Sequence, residues 1–271
     1  MYHIYYKLLI NFSIISYKIE KVNFQFDFMA QCMLKYIFGM VFYVLKWRRS
    51  VTMNESYNEL AKSLGVYLLN DEQIPLAAKC NAEAYEGYEL YDILFKNHCT
   101  PAKVERLWTV SINQVKDRAL IIGDGPKVNG MAIFMPPGYT TISVSSFLKA
   151  GGLKLPFNII SGLNKYQKYT ADLRARHTQN KAWYLLDLAI RPSANSHDLA
   201  DKMLTPVLDY IRDEGRGCFV ETQEEMEIGF FEHFGFEVVE TGRIPGSDSP
   251  LYGMYRYPEE YRYSDDDRKS I

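Results

Sequence analysis

The 271-residue chain is poor in several features that would each point to a class of protein. Cysteine occurs four times, at Cys32, Cys80, Cys99 and Cys218, widely separated and with no C-x-x-C pair. That spacing argues against a disulfide framework and against any cysteine-based metal site, and it points to a reducing, cytoplasmic setting. An excess of one charge sign is also lacking. The formal net charge is −2, so no basic surface is on offer to a nucleic acid. A membrane span needs about 20 apolar residues, and Tyr36–Leu45 supplies about half of that before Lys46 and Arg48 interrupt it. What is present, 47% apolar and 24% charged residues, is enough for one large domain with a genuine core.

Absences also divide the chain. Residues 1–52 hold one Ala (Ala30), one Gly (Gly39) and no Pro, but thirteen aromatic residues. Seven bases face two acids there (Glu20 and Asp27), giving +5 locally and leaving −7 for the remainder of a chain at −2. Lys18, Glu20, Lys21 and Asp27 break up any signal-peptide core. Tyr, Phe, Ile, Lys and Asn are encoded by AT-rich codons, so this mixture is expected from upstream DNA translated through a misplaced start. Met53, opening M-N-E-S-Y-N-E-L, is then the expected true start. The alternative is an amphipathic anchor on a membrane surface, the only route to a membrane for this chain. Three segments follow: an extension over 1–52, one domain over 53–257, and a charged, frayed tail over 258–271.

Within the domain, apolar spacing predicts helices through Leu60, Leu64, Tyr67 and Leu68, over Ile74–Asn97, and through Val104, Leu107, Trp108 and Ile112. Ala119–Ile122 and Gly130–Met135 flank a Gly-Asp-Gly-Pro turn and read as a hairpin. Residues 139–180 read as two helices around Gly151-Gly152, with Lys165, Lys168, Arg174, Arg176 and His177 as a solvated face. Trp183–Ile190 is a buried strand, 197–213 a helix, Cys218–Glu221 a strand, Ile228–Phe234 a short helix and Phe236–Glu240 a strand. That alternation predicts a mixed α/β sheet with helices on both faces.

The turn from Ile190 into the 197–213 helix is the sharpest local feature. A strand feeding a helix presents free N–H groups and the positive end of the helix dipole, which suits an anion. The turn itself, Ser193-Ala194-Asn195-Ser196-His197-Asp198-Leu199-Ala200, contains no glycine to let a phosphate approach. It reads equally as an N-cap, with Asn195 or Ser196 accepting from first-turn amides and Asp198 complementing the dipole.

Four blocks in order, V-N-G-M-A-I-F-M-P-P-G (128–138), W-Y-L-L-D-L-A-I-R-P (183–192), F-V-E-T (219–222) and F-F-E-H-F-G-F-E-V-V-E (230–240), resemble the GNAT-type N-acetyltransferases. The resemblance spans about residues 74–257. It implies an α/β (α+β) fold with a mixed, mostly antiparallel central sheet flanked by helices on both faces. It further implies acetyl transfer from acetyl-CoA to an amine of a small molecule or peptide, by a monomer or homodimer without metal. Under it, Leu188, Ala189 and Ile190 pair with pantetheine and supply the N–H that holds the oxyanion. Asn195, Ser196, His197, Asp198, Leu199 and Ala200 take the place of the pyrophosphate loop.

Two positions depart from that pattern. Asp198 stands where the family has a glycine, and its charge opposes phosphate by about 1–4 kcal/mol in partly wet surroundings. Phe231 stands where many members carry a tyrosine that protonates the leaving thiolate, and reads as core; Glu227 replaces a family asparagine. Glu221, at the end of a buried strand, and Asp187, inside an apolar one, are the candidate general bases, since burial raises a carboxyl pKa. Otherwise Asp187 faces out of the sheet and Glu221 caps a neighbouring amide. His197 and His233 read as exposed helix residues and Cys218 as a strand filler. The alternative to an enzyme is a degenerate, non-catalytic binding or interaction module of the same fold.

Overall fold

The computed structural model describes residues 56–139 and 144–258. The extension over 1–52 and the tail beyond Pro258 lie outside the described residues.

Chain order is α1 (residues 56–64), β1 (Tyr67–Leu68), α2 (Ile74–Ala84), α3 (Glu89–Phe95), α4 (Pro101–Val115), β2 (Leu120–Gly123), β3 (Gly130–Met135), α5 (Val144–Lys149), α6 (Phe157–Thr178), β4 (Trp183–Ile190), α7 (Ser196–Asp213), β5 (Cys218–Thr222), α8 (Met226–His233), β6 (Glu237–Arg243) and β7 (Pro250–Arg256). The strands form one seven-stranded sheet in the order β1-β2-β3-β4-β5-β7-β6. Only β4 and β5 run parallel; every other neighbouring pair is antiparallel. This is the mixed, mostly antiparallel sheet expected, and helices cover both faces.

Alternating strand residues feed two separate cores. Ile121, Ile133, Met135, Tyr184, Ala189 and Phe219 point to the face under α2, α3, α4 and α6. Leu120, Ile122, Phe134, Leu185, Cys218 and Val220 point to the face under α1, α7 and α8. β2 and β3 are buried along their whole length, as a central hairpin enclosed on both faces must be.

Three expectations change. Tyr67 and Leu68, placed on a helix by their spacing, form β1 against Ile122 and Gly123. Gly65, at φ +68°, ends α1 one turn earlier than the apolar pattern does. The single helix over Ile74–Asn97 is two, separated by Tyr85–Tyr88, with Gly87 at φ +79° turning the chain. The sheet also gains β7, which fills the space between β5 and β6. The two helices around Gly151-Gly152 are present as α5 and α6.

Candidate functional site

The site arises where two neighbouring strands part. β4 and β5 pair only at Trp183↔Cys218 and Tyr184↔Phe219, although β4 continues to Ile190 and β5 to Thr222. Leu186 is an extra residue opposite the Ile133–Phe134 step of β3. A bulge of this kind bends the strand and increases its twist, which carries the end of β4 away from β5. Arg191 N–H donates to Asn129 O at 2.8 Å. Alternation along the antiparallel ladder then turns the N–H and C=O groups of Leu188 and Ile190 away from β3, toward the gap.

A cavity of 570 Å³ occupies this opening. Its floor is β4 and β5; its walls come from Tyr85, Tyr88 and Tyr91, from Trp108 on α4, from Tyr166 and Thr170 on α6, and from Glu227 and Phe230 on α8. Both candidate bases line it.

Asp187 is 7% exposed, so it does not face out of the sheet. The Leu186 bulge sets Asp187 on the same face as Ala189, toward α2. There Asn81 Nδ2 donates to Asp187 Oδ2 at 2.7 Å. The Asn81 amide is fixed in turn, because Tyr91 Oη donates to Asn81 Oδ1 at 3.4 Å and Trp108 Nε1 donates to Tyr91 Oη at 2.6 Å. Burial pushes the Asp187 carboxyl up to about 8, against the lowering effect of the Asn81 amide and the nearby Tyr85 hydroxyl, and the Glu227 charge adds to the rise. A carboxyl with that value exchanges a proton near neutral pH, as a general base must.

Glu221 shares this face of the sheet. Tyr184 Oη donates to its Oε1 at 2.6 Å, while its Oε2 is buried without a hydrogen-bond partner. It therefore accepts from a tyrosine and does not cap a neighbouring amide. Burial raises its pKa, and the Arg174 guanidinium and the Tyr184 hydroxyl limit the rise. Glu227, raised by burial as well, accepts from Thr222 Oγ1.

Arg174 corrects the expectation of a solvated basic face. It is 3% exposed, its guanidinium carbon lies 4.0 Å from the centre of the Tyr184 ring, and Nη2 donates to Tyr139 O at 3.4 Å. Arg176 and His177, nearer the end of α6, pair with Glu240.

The turn into α7 keeps Asp198 in the first helical turn, as the N-cap reading expects, but lacks the side-chain cap. Asn195 makes no side-chain cap; its Nδ2 donates to Asp198 Oδ2 at 2.8 Å. Residues 195–198 are exposed, Leu199 is half-buried and Ala200 is buried in the core. Ser196 reaches the cavity edge. His197 rests 5.8 Å from the Phe230 ring. The Leu188 carbonyl already accepts from Tyr85 Oη at 2.6 Å, so that group is occupied. Phe231 packs against Phe230 and Phe236 while also lining the cavity. His233 is exposed and contacts Asp201, and Cys218 is a fully buried strand residue whose thiol burial pushes up to about 12.

The sequence reading missed Asn81, Tyr85, Tyr91, Trp108, Tyr166 and Tyr184. Tyr85, Tyr88 and Tyr91 recur three residues apart, and that regularity was the available signal.

No protein-family model matches the chain, and no curated protein matches it. Among solved structures, the chain is similar to N-acetyltransferases. One is a polyamine N-acetyltransferase of Drosophila melanogaster, 11% identical, covering 71% of this chain and 98% of that one with a TM-score of 0.49. A histone acetyltransferase-related acetyltransferase of Corynebacterium glutamicum is 16% identical, covers 71% and 95%, and has a TM-score of 0.48. The PaiA N-acetyltransferase of Thermoplasma acidophilum, solved with coenzyme A, is 12% identical, covers 71% and 97%, and has a TM-score of 0.39. At such identities and scores the likeness says nothing of activity or substrate, which are read from the site itself.

Proposed function

We propose that the chain transfers an acetyl group from acetyl-CoA to an amine. The observation carrying this reading is the gap between β4 and β5, where main-chain groups of Leu188 and Ile190 face a cavity that also holds buried carboxylates. An extended arm bearing amides, such as pantetheine, finds in an unpaired strand edge the partners a further strand would supply.

In this reading Asp187, in its ionised form, takes one proton from the ammonium of the acceptor. The freed nitrogen attacks the thioester carbonyl, and a C–N bond forms. Oxygen of the tetrahedral intermediate is held by the N–H of Leu188 or Ile190. The C–S bond then breaks. The second nitrogen proton ends on the departing sulfur, and the proton on Asp187 passes to solvent. Phe231 has no proton to give, so that second nitrogen proton reaches the sulfur through water.

The test is thermal unfolding of the full chain with coenzyme A or acetyl-CoA. At a hundredfold excess over Kd, linkage supplies about 2.7 kcal/mol, or a rise of roughly 5–10 °C for a domain of this size. No shift at millimolar ligand overturns the reading. A second reading is favoured by Asp198, which brings a negative charge to the first turn of α7, and by Phe231: a non-catalytic module of the same fold. A shift without thiol release across a panel of amines would support it.

A further inference from the structure

The cavity wall describes its occupant. Among the described residues lining it are five carboxylates, Glu86, Asp187, Glu221, Glu224 and Glu227, and no Lys, Arg or His. Arg174 lies over the Tyr184 ring outside the lining, and its guanidinium favours the ionised form of Glu221. A ligand bringing a carboxylate or phosphate into this space would find no cation in the lining, and like charge wherever these carboxyls are ionised.

The opposite wall is aromatic. Tyr85, Tyr88 and Tyr91 pack as a triangle with ring centroids 4.9, 6.0 and 6.0 Å apart. Their hydroxyls are engaged by the protein: Tyr85 donates to Leu188 O, Tyr91 donates to Asn81 Oδ1, and Tyr88 accepts from Gln223 N–H at 3.4 Å. What remains for a ligand is ring surface, suited to an apolar body and to a cation beside it. Glu221 lines the cavity, and one of its two carboxylate oxygens lacks a donor. Glu221 Oε2 is buried and unpartnered, and leaving such an acceptor unfilled costs about 1–3 kcal/mol, more for a charged group.

We infer that the cavity binds a primary ammonium ion carried on a small flat apolar body, its nitrogen held by Glu221 and its body laid against the Tyr85–Tyr88–Tyr91 wall. In the transfer reading, on which only its role as acceptor rests, this ion is the acetylated amine. Amino acids and phosphorylated amines are rejected by the same acids that hold the ammonium. The volume of 570 Å³ is that of a small-molecule site.

The test is calorimetric titration of the full chain, with and without saturating coenzyme A. Three probes of one shape are used: 2-phenylethylammonium, 2-phenylethanol and 3-phenylpropionate. The ammonium is expected to bind at least tenfold more tightly than the alcohol, a difference of about 1.4 kcal/mol, with the carboxylate weakest. Glu221→Gln should bring the ammonium-to-alcohol ratio close to one while leaving alcohol binding in place, which also reports that the variant is folded. Tyr88→Leu should weaken both probes alike. Equal binding of ammonium and alcohol, tighter binding of the carboxylate, no binding in either arm, or a ratio unchanged in Glu221→Gln overturns the inference. The two proposals separate cleanly. Ammonium preference without coenzyme A binding leaves this site and removes transfer; thiol release without ammonium preference does the reverse.

Discussion

Replacing Asp187 by Asn removes a buried carboxyl while keeping its shape and the oxygen that accepts from Asn81. In the folded chain the carboxyl is raised to about 8 from an ordinary 3.8. A raised carboxylate contributes stability that is fully present below its unfolded value and is lost as pH rises toward its folded value, because the unfolded chain ionises first. Each pH unit in that window is worth about 1.4 kcal/mol. The variant should therefore exceed the natural chain in stability by about 2 kcal/mol at pH 5, with the gap growing by about 4 kcal/mol between pH 5 and pH 8. Above pH 8 the gap should level off. Glu227, Tyr85, Tyr91 and Asn81 face the same carboxyl, but they are common to both proteins, so the difference isolates Asp187. Urea unfolding followed by tryptophan fluorescence at several pH values measures it. A gap constant to within about 1 kcal/mol from pH 5 to pH 8 would refute the argument that burial holds this carboxyl neutral. A stabilised variant that loses acetyl transfer would be the usual exchange of stability for function at a site.

Two further outcomes follow from the same geometry. Asp198→Gly removes the exposed carboxylate at the first turn of α7, so coenzyme A affinity should rise about tenfold; unchanged affinity by titration would place the phosphates elsewhere. Gly253, paired with Glu221, lies under α6. A Cβ there would sit 2.5 Å from Leu173 Cδ2 and 3.1 Å from Phe219 Cζ, both fully buried side chains. Gly253→Ala should cost about 1–3 kcal/mol by overpacking and move α6, with Arg174, away from the Tyr184 ring. An unaltered Tm would show that α6 is not seated on this glycine.

Much of the scaffold was legible because period and punctuation report local structure. Trp183–Ile190 reads as a doubly buried strand and is a strand, buried over Trp183–Leu185 and half-buried at Leu186, Leu188 and Ile190. The 197–213 helix and the 119–135 hairpin sit where their patterns place them. Errors came where distant pairing decides. Two residues of β1 carry apolar spacing compatible with a helix, and only the neighbouring β2 edge makes them a strand. Arg174 looks like one base in a solvated run, yet its planar guanidinium finds the Tyr184 ring and is buried.

Residue type and spacing alone placed the central hairpin, the 183–190 strand and the 197–213 helix, and showed the pair of carboxylates Asp187 and Glu221 and the absence of a glycine-rich phosphate turn at 195–200. These are properties of residue type and spacing, which a linear chain states directly. Tertiary structure alone decided that both carboxylates share one cavity, that a Trp108–Tyr91–Asn81 chain orients Asp187, and that three tyrosines face them. The reason is physical. A pKa, an unpartnered oxygen and an aromatic wall depend on what burial removes from water and on which distant groups then meet, and neither is written in the spacing of neighbours.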